Sequence, residues 1–262
     1  MLESLAPFRD SGDGIIDSHA HFWSSDDLGT IVDEARRLGL RRVCVSSLYD
    51  WDWREAPDPG AGNSAVFEAA GENSELLGYV YLDPRFPDAA QAQIDLYIDH
   101  PSMIGVKLWI ACKANDPLVQ PIAERAERDD FIMLVHSWRR GSRLAKGHQT
   151  LPVQVAEMAA SFPGVDVIMA HLGGDWENGI REVANVPSVS VDTCGSINED
   201  GMVEMAVEVL GAERVLFGSD APGSGYLPNI GKVTSALLEE EDKKLILGGN
   251  MARLLRKRSR GV

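Results

Sequence analysis

Residues 16–22, Ile16-Asp17-Ser18-His19-Ala20-His21-Phe22, carry two histidines two positions apart at the end of a strand-like segment. Side chains alternate faces along a strand, so His19 and His21 project the same way and can grip one cation. Further strand-like segments end on Lys107, His136, His171 and Asp220. Neutral imidazole and carboxylate are common ligands of zinc, manganese and iron, and a catalytic centre keeps one position open for water. Water held there acidifies from a pKa of about 15.7 to roughly 7. The residue types therefore point to a metal-dependent enzyme. In it Asp220 can both ligate and take the proton of the water, while His171 can stabilise a developing oxyanion or bind a second ion.

The elements that must position these groups follow from hydrophobic periodicity. Short apolar runs predict strands over 14–19, 42–47, 76–82, 104–110, 131–137, 165–171, 189–193 and 214–219. Amphipathic stretches predict helices over 27–38, 61–73, 89–99, 118–129, 153–162, 176–183, 200–210 and 230–238. Eight strands, each followed by a helix, form the pattern of a closed parallel (βα)8 TIM barrel of the α/β class. Continuous runs such as Val165-Asp166-Val167-Ile168-Met169-Ala170 suit strands covered on both faces. No linker of Pro, Gly and Ser composition divides the chain, so one domain over 1–262 is the simplest expectation. The long connections 49–60 and 138–150 follow strand ends, where barrel enzymes build their sites.

Strand alternation makes an expectation that coordinates can test. If His19 and His21 face inward, so does Asp17, and His136 takes Leu134 and Ile132 with it. Asp220 takes Gly218 and Leu216, and His171 takes Met169 and Val167. Asp17 is then the polar member of an otherwise small or apolar inward row, and it needs a partner there. Its expected role is to orient a ligand or a neighbour of one.

Composition narrows the partners. A formal charge of −15 argues against nucleic acid and anionic membrane as partners. Three cysteines, Cys44, Cys112 and Cys194, without CxxC spacing indicate a reducing compartment and no disulfide framework. The first residues lack a basic segment followed by an apolar one, so no signal peptide is expected. The cytoplasm is the expected location, a small molecule is the expected partner, and exposed helix faces leave room for a homo-oligomer. The loop 137–148 holds four basic residues and no acid, so Arg139, Arg140 and His148 are candidates for binding an anionic substrate. All six tryptophans, Trp109 among them, fall at or just after the ends of predicted strands and favour a partly apolar pocket at the barrel mouth.

This arrangement resembles the amidohydrolase superfamily, and within it the amidohydrolase-related (amidohydrolase 2) branch. The likeness rests on Ile16-Asp17-Ser18-His19-Ala20-His21, Gly105-Val106-Lys107-Leu108 and Leu134-Val135-His136. It continues through Met169-Ala170-His171-Leu172-Gly173-Gly174, Phe217-Gly218-Ser219-Asp220-Ala221-Pro222 and the closing Ile246–Leu255 segment, in family order along nearly the whole chain. The resemblance implies that His19, His21, His136 and Asp220 hold the more buried metal. It also implies that a carboxylated Lys107 bridges to a second ion on His136 and His171 in two-metal members. The expected cofactor is a divalent metal, zinc foremost, as one or two ions. The expected activity is hydrolysis of an amide, lactone or ester bond of a small, anionic organic substrate by metal-activated water. The alternative is metal-dependent decarboxylation of an aromatic or unsaturated carboxylic acid on the same barrel.

Overall fold

The computed structural model describes residues 3–48, 59–139 and 149–258. Eight strands lie parallel in chain order: Ile15–Phe22 (β1), Leu40–Ser47 (β2), Leu76–Tyr81 (β3), Met103–Leu108 (β4), Ile132–Val135 (β5), Val167–Met169 (β6), Val189–Asp192 (β7) and Val215–Leu216 (β8). The seam between β8 and β1 is closed by backbone bonds. Ser18 N–H donates to Phe217 O at 3.0 Å and His21 N–H donates to Ala221 O at 2.7 Å. The fold is a (βα)8 barrel, as the alternation of strands and helices predicts.

Two apolar layers hold it. Val43, Val45, Val80, Met133, Val135, Val189 and Val191 pack outward with the helices. Ile16, Cys44, Tyr79, Ile132, Leu134, Ile168 and Leu216 fill the barrel, and Met251 and Leu254 of the last helix, Asn250–Arg258, join that inner cluster. Helix starts follow local chemistry. Ahead of Ser25–Leu38, Ser24 N–H donates to Asp27 Oδ2 at 2.9 Å, and the same helix stops at Gly39 in the left-handed conformation, φ 73°. Helices Pro87–Tyr97 and Pro152–Ser161 begin on a proline, where the missing N–H costs nothing. Helix Trp176–Val183 buries Gly179, Ile180 and Val183 on one stripe. Among the described residues no helix is long and apolar enough to cross a membrane.

Three expectations need correction. The sixth and eighth strands are shorter than 165–171 and 214–219, spanning Val167–Met169 and Val215–Leu216. The eighth helix is Tyr226–Thr234 rather than 230–238, and Leu237 beyond it is 91% exposed. Inward parity also fails for β6: Ile168 joins the inner cluster, while Val167 and Met169 join the helix-facing one. The reason is local. After Met169 the chain enters a helical turn with His171 at φ 61° and Leu172 at φ 49°, so strand alternation does not carry through to His171. Its imidazole reaches the mouth by a backbone reversal instead.

Close strand packing makes a test of the register. A Cβ on Gly105 of β4 would lie 2.1 Å from Ile132 O of β5, a backbone atom that cannot swing aside. Gly105→Ala should destabilise the protein by about 1–3 kcal/mol and lower its melting temperature by several degrees. Gly71→Ala, in a helix with open space around the site, should melt at or above wild type. Equal melting of the two variants would contradict the β4–β5 register.

Candidate metal centre

Strand ends deliver the side chains. β1 brings His19 and His21 to the mouth, and their Nε2 atoms approach to 2.8 Å. From β4, Lys107 Nζ reaches 3.0 Å from His19 Nε2. Past β8, Asp220 Oδ1 lies 3.6 Å from His21 Nε2 and 4.0 Å from His19 Nε2. Across the cluster, His136 Nδ1 and His171 Nε2 are 3.2 Å apart, and the His19 and His171 ring centroids are separated by 5.2 Å. All six residues proposed as ligands from the sequence therefore fall in one cluster.

The histidines are held by partners on their far nitrogens. Asp192, the last residue of β7, accepts from His19 Nδ1 at 2.8 Å, and a carboxylate there leaves the Nε2 lone pair of His19 facing His21 and Lys107. Ser46 Oγ at the end of β2 sits 2.7 Å from His21 Nδ1. Asp192 Oδ1 also accepts the backbone N–H of His171 at 2.8 Å and of Cys194 at 3.2 Å. Asp17 accepts from His19 N–H at 3.0 Å, from Ser219 N–H at 2.9 Å and from Ser219 Oγ at 2.5 Å. The carboxylate foreseen to need a partner thus ties the end of β1 to the turn that carries Asp220. That turn is strained: Asp220 has φ 58°, a conformation that aspartate tolerates better than most residues.

Burial sets the electrostatics. It drives His19, His21 and His136 well below the usual histidine range, helped by the Lys107 cation, and brings His171 down to about 4. These imidazoles are neutral and ready to donate lone pairs. Burial likewise draws Lys107 down to about 8, against the pull of Asp192, so more of it is a free amine at neutral pH than of a surface lysine. Asp220 is pushed up to about 7 by its desolvating walls, against the pull of Lys107, although its side chain keeps 27% exposure.

The donor set fits a divalent cation. His19, His21 and Asp220 each offer an atom within 4.8 Å of the others. His136 Nε2 is buried and finds no hydrogen-bond partner among the described residues, a cost that a coordination bond would remove.

Substrate-side predictions divide. Trp109 is half-buried with its ring 6.3 Å from that of His136, and Trp138 lies edge-on to His171 at 5.5 Å. Arg139 is brought beside the turn after His171, its N–H donating to Gly173 O at 2.8 Å. Its guanidinium, however, is engaged bidentately by Glu182 at 2.7 and 3.0 Å. Arg140 and His148 lie outside the described residues.

Sequence reasoning missed Asp192 and undervalued Cys194. The signal for Asp192 was parity: Val189 and Val191 face the helices, which leaves Ser190 and Asp192 on the inward face of β7. Cys194 Sγ stands 3.1 Å from His19 Nδ1 and 3.0 Å from His171 Nδ1, a position no linear spacing announces. Burial and the neighbouring Asp192 hold its thiol well above the usual range, against a role as nucleophile.

Comparison with known proteins finds likenesses along nearly the whole chain. A family model described as "Amidohydrolase" matches residues 16–257. The chain is similar to a 2,6-dihydroxybenzoate decarboxylase from Rhizobium, with TM-score 0.74 at 14% identity over 94% of this chain and 99% of that one. It is similar to a dihydroxybenzoic acid decarboxylase from Polaromonas sp. JS666 with bound manganese and 2-nitroresorcinol (TM-score 0.72, 15% identity, 95% and 99% covered). An amidohydrolase from Burkholderia multivorans with bound zinc aligns with TM-score 0.69 and 15% identity over 92% and 99% of the two chains. At these identities the likeness to solved structures speaks for the fold.

Asp192→Asn would turn an amide N–H toward His19 Nδ1 and shift the imidazole proton to Nε2. Affinity for added Mn²⁺ or Zn²⁺, measured by titration calorimetry, should fall about 10–100-fold with the circular dichroism spectrum unchanged. Unaltered affinity would remove Asp192 from the centre.

Proposed function

Because the chain belongs to the amidohydrolase family, we propose that it is a metal-dependent hydrolase cleaving an amide, lactone or ester bond of a small organic anion. The observation that carries this reading is Lys107: a buried amine, lowered toward neutrality, 3.0 Å from His19 Nε2 and among the imidazoles of a histidine cluster. A plain structural lysine is seldom buried without a fixed carboxylate partner. Carboxylation converts the amine and CO₂ into a carbamate with release of one proton, which gives a charge-compatible bridge in this position. In a two-ion centre His19, His21 and Asp220 would hold the first ion and His136 and His171 the second, with the Lys107 carbamate as their shared ligand; in a one-ion centre His136 would join the first set. When bound, the metal supplies Lewis acidity toward the scissile carbonyl and acidifies water.

The protein's own groups complete the reaction. Asp220, whose side chain keeps 27% exposure at the open side of the cluster, is placed to take the proton of the attacking water and to return it to the leaving group. Where only one ion is held, His171, fixed by its main-chain N–H donating to Asp192, would instead be placed to stabilise a tetrahedral oxyanion. Trp109 and Trp138 wall the mouth and exclude water from an apolar portion of the substrate. Recognition of the anion falls to Arg140 and His148, and to Arg139 once Glu182 releases it.

A second reading has its own support. Aromatic walls beside His136 and His171, and the likeness to dihydroxybenzoate decarboxylases, fit a metal-dependent C–C lyase acting on an aromatic or unsaturated acid. Metal analysis separates the two. Hydrolysis through a carbamate predicts two equivalents of metal, reduced to at most one in Lys107→Met. The lyase predicts one equivalent whatever residue stands at 107, with CO₂ released from 2,6-dihydroxybenzoate. Under either chemistry Asp220→Asn should lower turnover by roughly 10²–10⁴-fold while leaving the melting temperature near wild type. Near wild-type turnover in that variant would remove Asp220 from the reaction.

A further inference from the structure

His19 has two ring nitrogens and one proton, and a different donor set faces each nitrogen. Nε2 meets His21, Lys107 and Asp220. Nδ1 meets Asp192 Oδ2 at 2.8 Å and Cys194 Sγ at 3.1 Å, with His171 Nδ1 a further 3.0 Å from the same sulfur. The four donors His19, His171, Asp192 and Cys194 lie within 4.8 Å of one another, and none is more than 6% exposed. Gly195, at φ 92°, keeps this face open, since a Cβ there would come within 3.0 Å of His171 Nδ1. The set differs in kind from the first. It adds a thiol to two imidazoles and a carboxylate, a combination that favours soft or borderline ions such as Cd²⁺ and Zn²⁺ over Mn²⁺ or Mg²⁺. Coordination bonds of about 2.0–2.3 Å put tetrahedral ligands roughly 3–4 Å apart, so the cluster has only to open by some tenths of an ångström.

We propose that Cys194, His171 Nδ1, Asp192 and His19 Nδ1 form a second, thiolate-containing metal site whose occupation excludes metal from the His19–His21–Asp220 centre. Binding breaks the Cys194 S–H bond, forms a sulfur–metal bond and releases that proton to solvent. The Nδ1 proton of His19 moves to Nε2, so the imidazole stays neutral but loses the lone pair that faces His21 and Asp220. One ring cannot offer a lone pair on both sides without becoming an anion, and this makes the two sites exclusive. A thiophilic metal is then an inhibitor acting from behind the centre. The inference goes beyond the hydrolase reading and holds equally if the chain is a lyase.

The probe is Cd²⁺ added to metal-free protein, read by the near-ultraviolet sulfur-to-cadmium charge-transfer absorption, with Mn²⁺ followed separately by electron paramagnetic resonance. Wild type should develop the absorption of one thiolate per chain. Cys194→Ser should lack it while still binding Mn²⁺. A Cys44→Ala/Cys112→Ala protein, in which Cys194 is the sole thiol, should keep it, which covers the case in which Cys194→Ser does not fold. Saturation with Mn²⁺ beforehand should suppress the band in wild type. A missing band in wild type, or an equal one in Cys194→Ser, overturns the site, and a band undiminished by bound Mn²⁺ overturns the exclusivity. Failure of every protein to bind Mn²⁺ would count against the catalytic centre and leave the cadmium band to decide this site alone.

Discussion

One buried carboxylate, Asp192, holds the centre together. It is fully enclosed and accepts three hydrogen bonds, from the ring of His19 and from the main chain of His171 and Cys194. A carboxylate taken out of water costs several kcal/mol unless its lone pairs are met, so these donors are what let it remain there. In return it selects which nitrogen of His19 faces the cluster and anchors the reversed turn that carries His171. The barrel contributes stiffness: strand ends fix the starting points of these side chains, and the carboxylate sets their final orientation.

A second buried carboxylate does a comparable task at the seam. β8 contributes only Val215–Leu216, and its seam with β1 is joined beyond its end, by backbone bonds between 18–21 and 217–221 that include the bridge Ala20–Ala221. Asp17 compensates by collecting the backbone and hydroxyl of Ser219, while Ser18 Oγ donates to Phe217 O at 2.8 Å. Burial pushes Asp17 up to about 7, a measure of how far closure of the barrel takes this group from water. Structural closure and delivery of Asp220 to the mouth are thus one arrangement of bonds.

Much of the fold was legible because each strand is a short run of branched apolar residues bounded by turn-forming ones, and because the helices alternate with them. His19, His21, Lys107, His136 and Asp220 were legible as reactive types at the ends of such runs. Other features leave little trace in a linear reading. The left-handed backbone at His171 occurs without glycine, so nothing in the sequence warned that alternation would break after Met169. Asp192 looked like an ordinary polar residue at a strand exit, and its role appears only when a chain position 173 residues earlier is brought beside it. Cys194 meets partners 175 and 23 residues away. Arg139 had the right charge at the mouth, yet Glu182, 43 residues on, satisfies it. Local pattern reveals elements; pairing across the barrel decides what a side chain at its rim is free to do.

The left-handed backbones of His171 and Asp220 narrow how such a centre can change over evolutionary time. Histidine, aspartate and asparagine enter that conformation at modest cost, whereas β-branched residues are penalised there. Replacement at either position must therefore satisfy the main chain before it can offer any new chemistry. Diversification of this mouth is steered toward positions such as the strand-borne Lys107, whose regular β backbone makes no such demand and where burial alone limits the side chain. Reaction type can drift at those positions while the two reversed turns stay fixed.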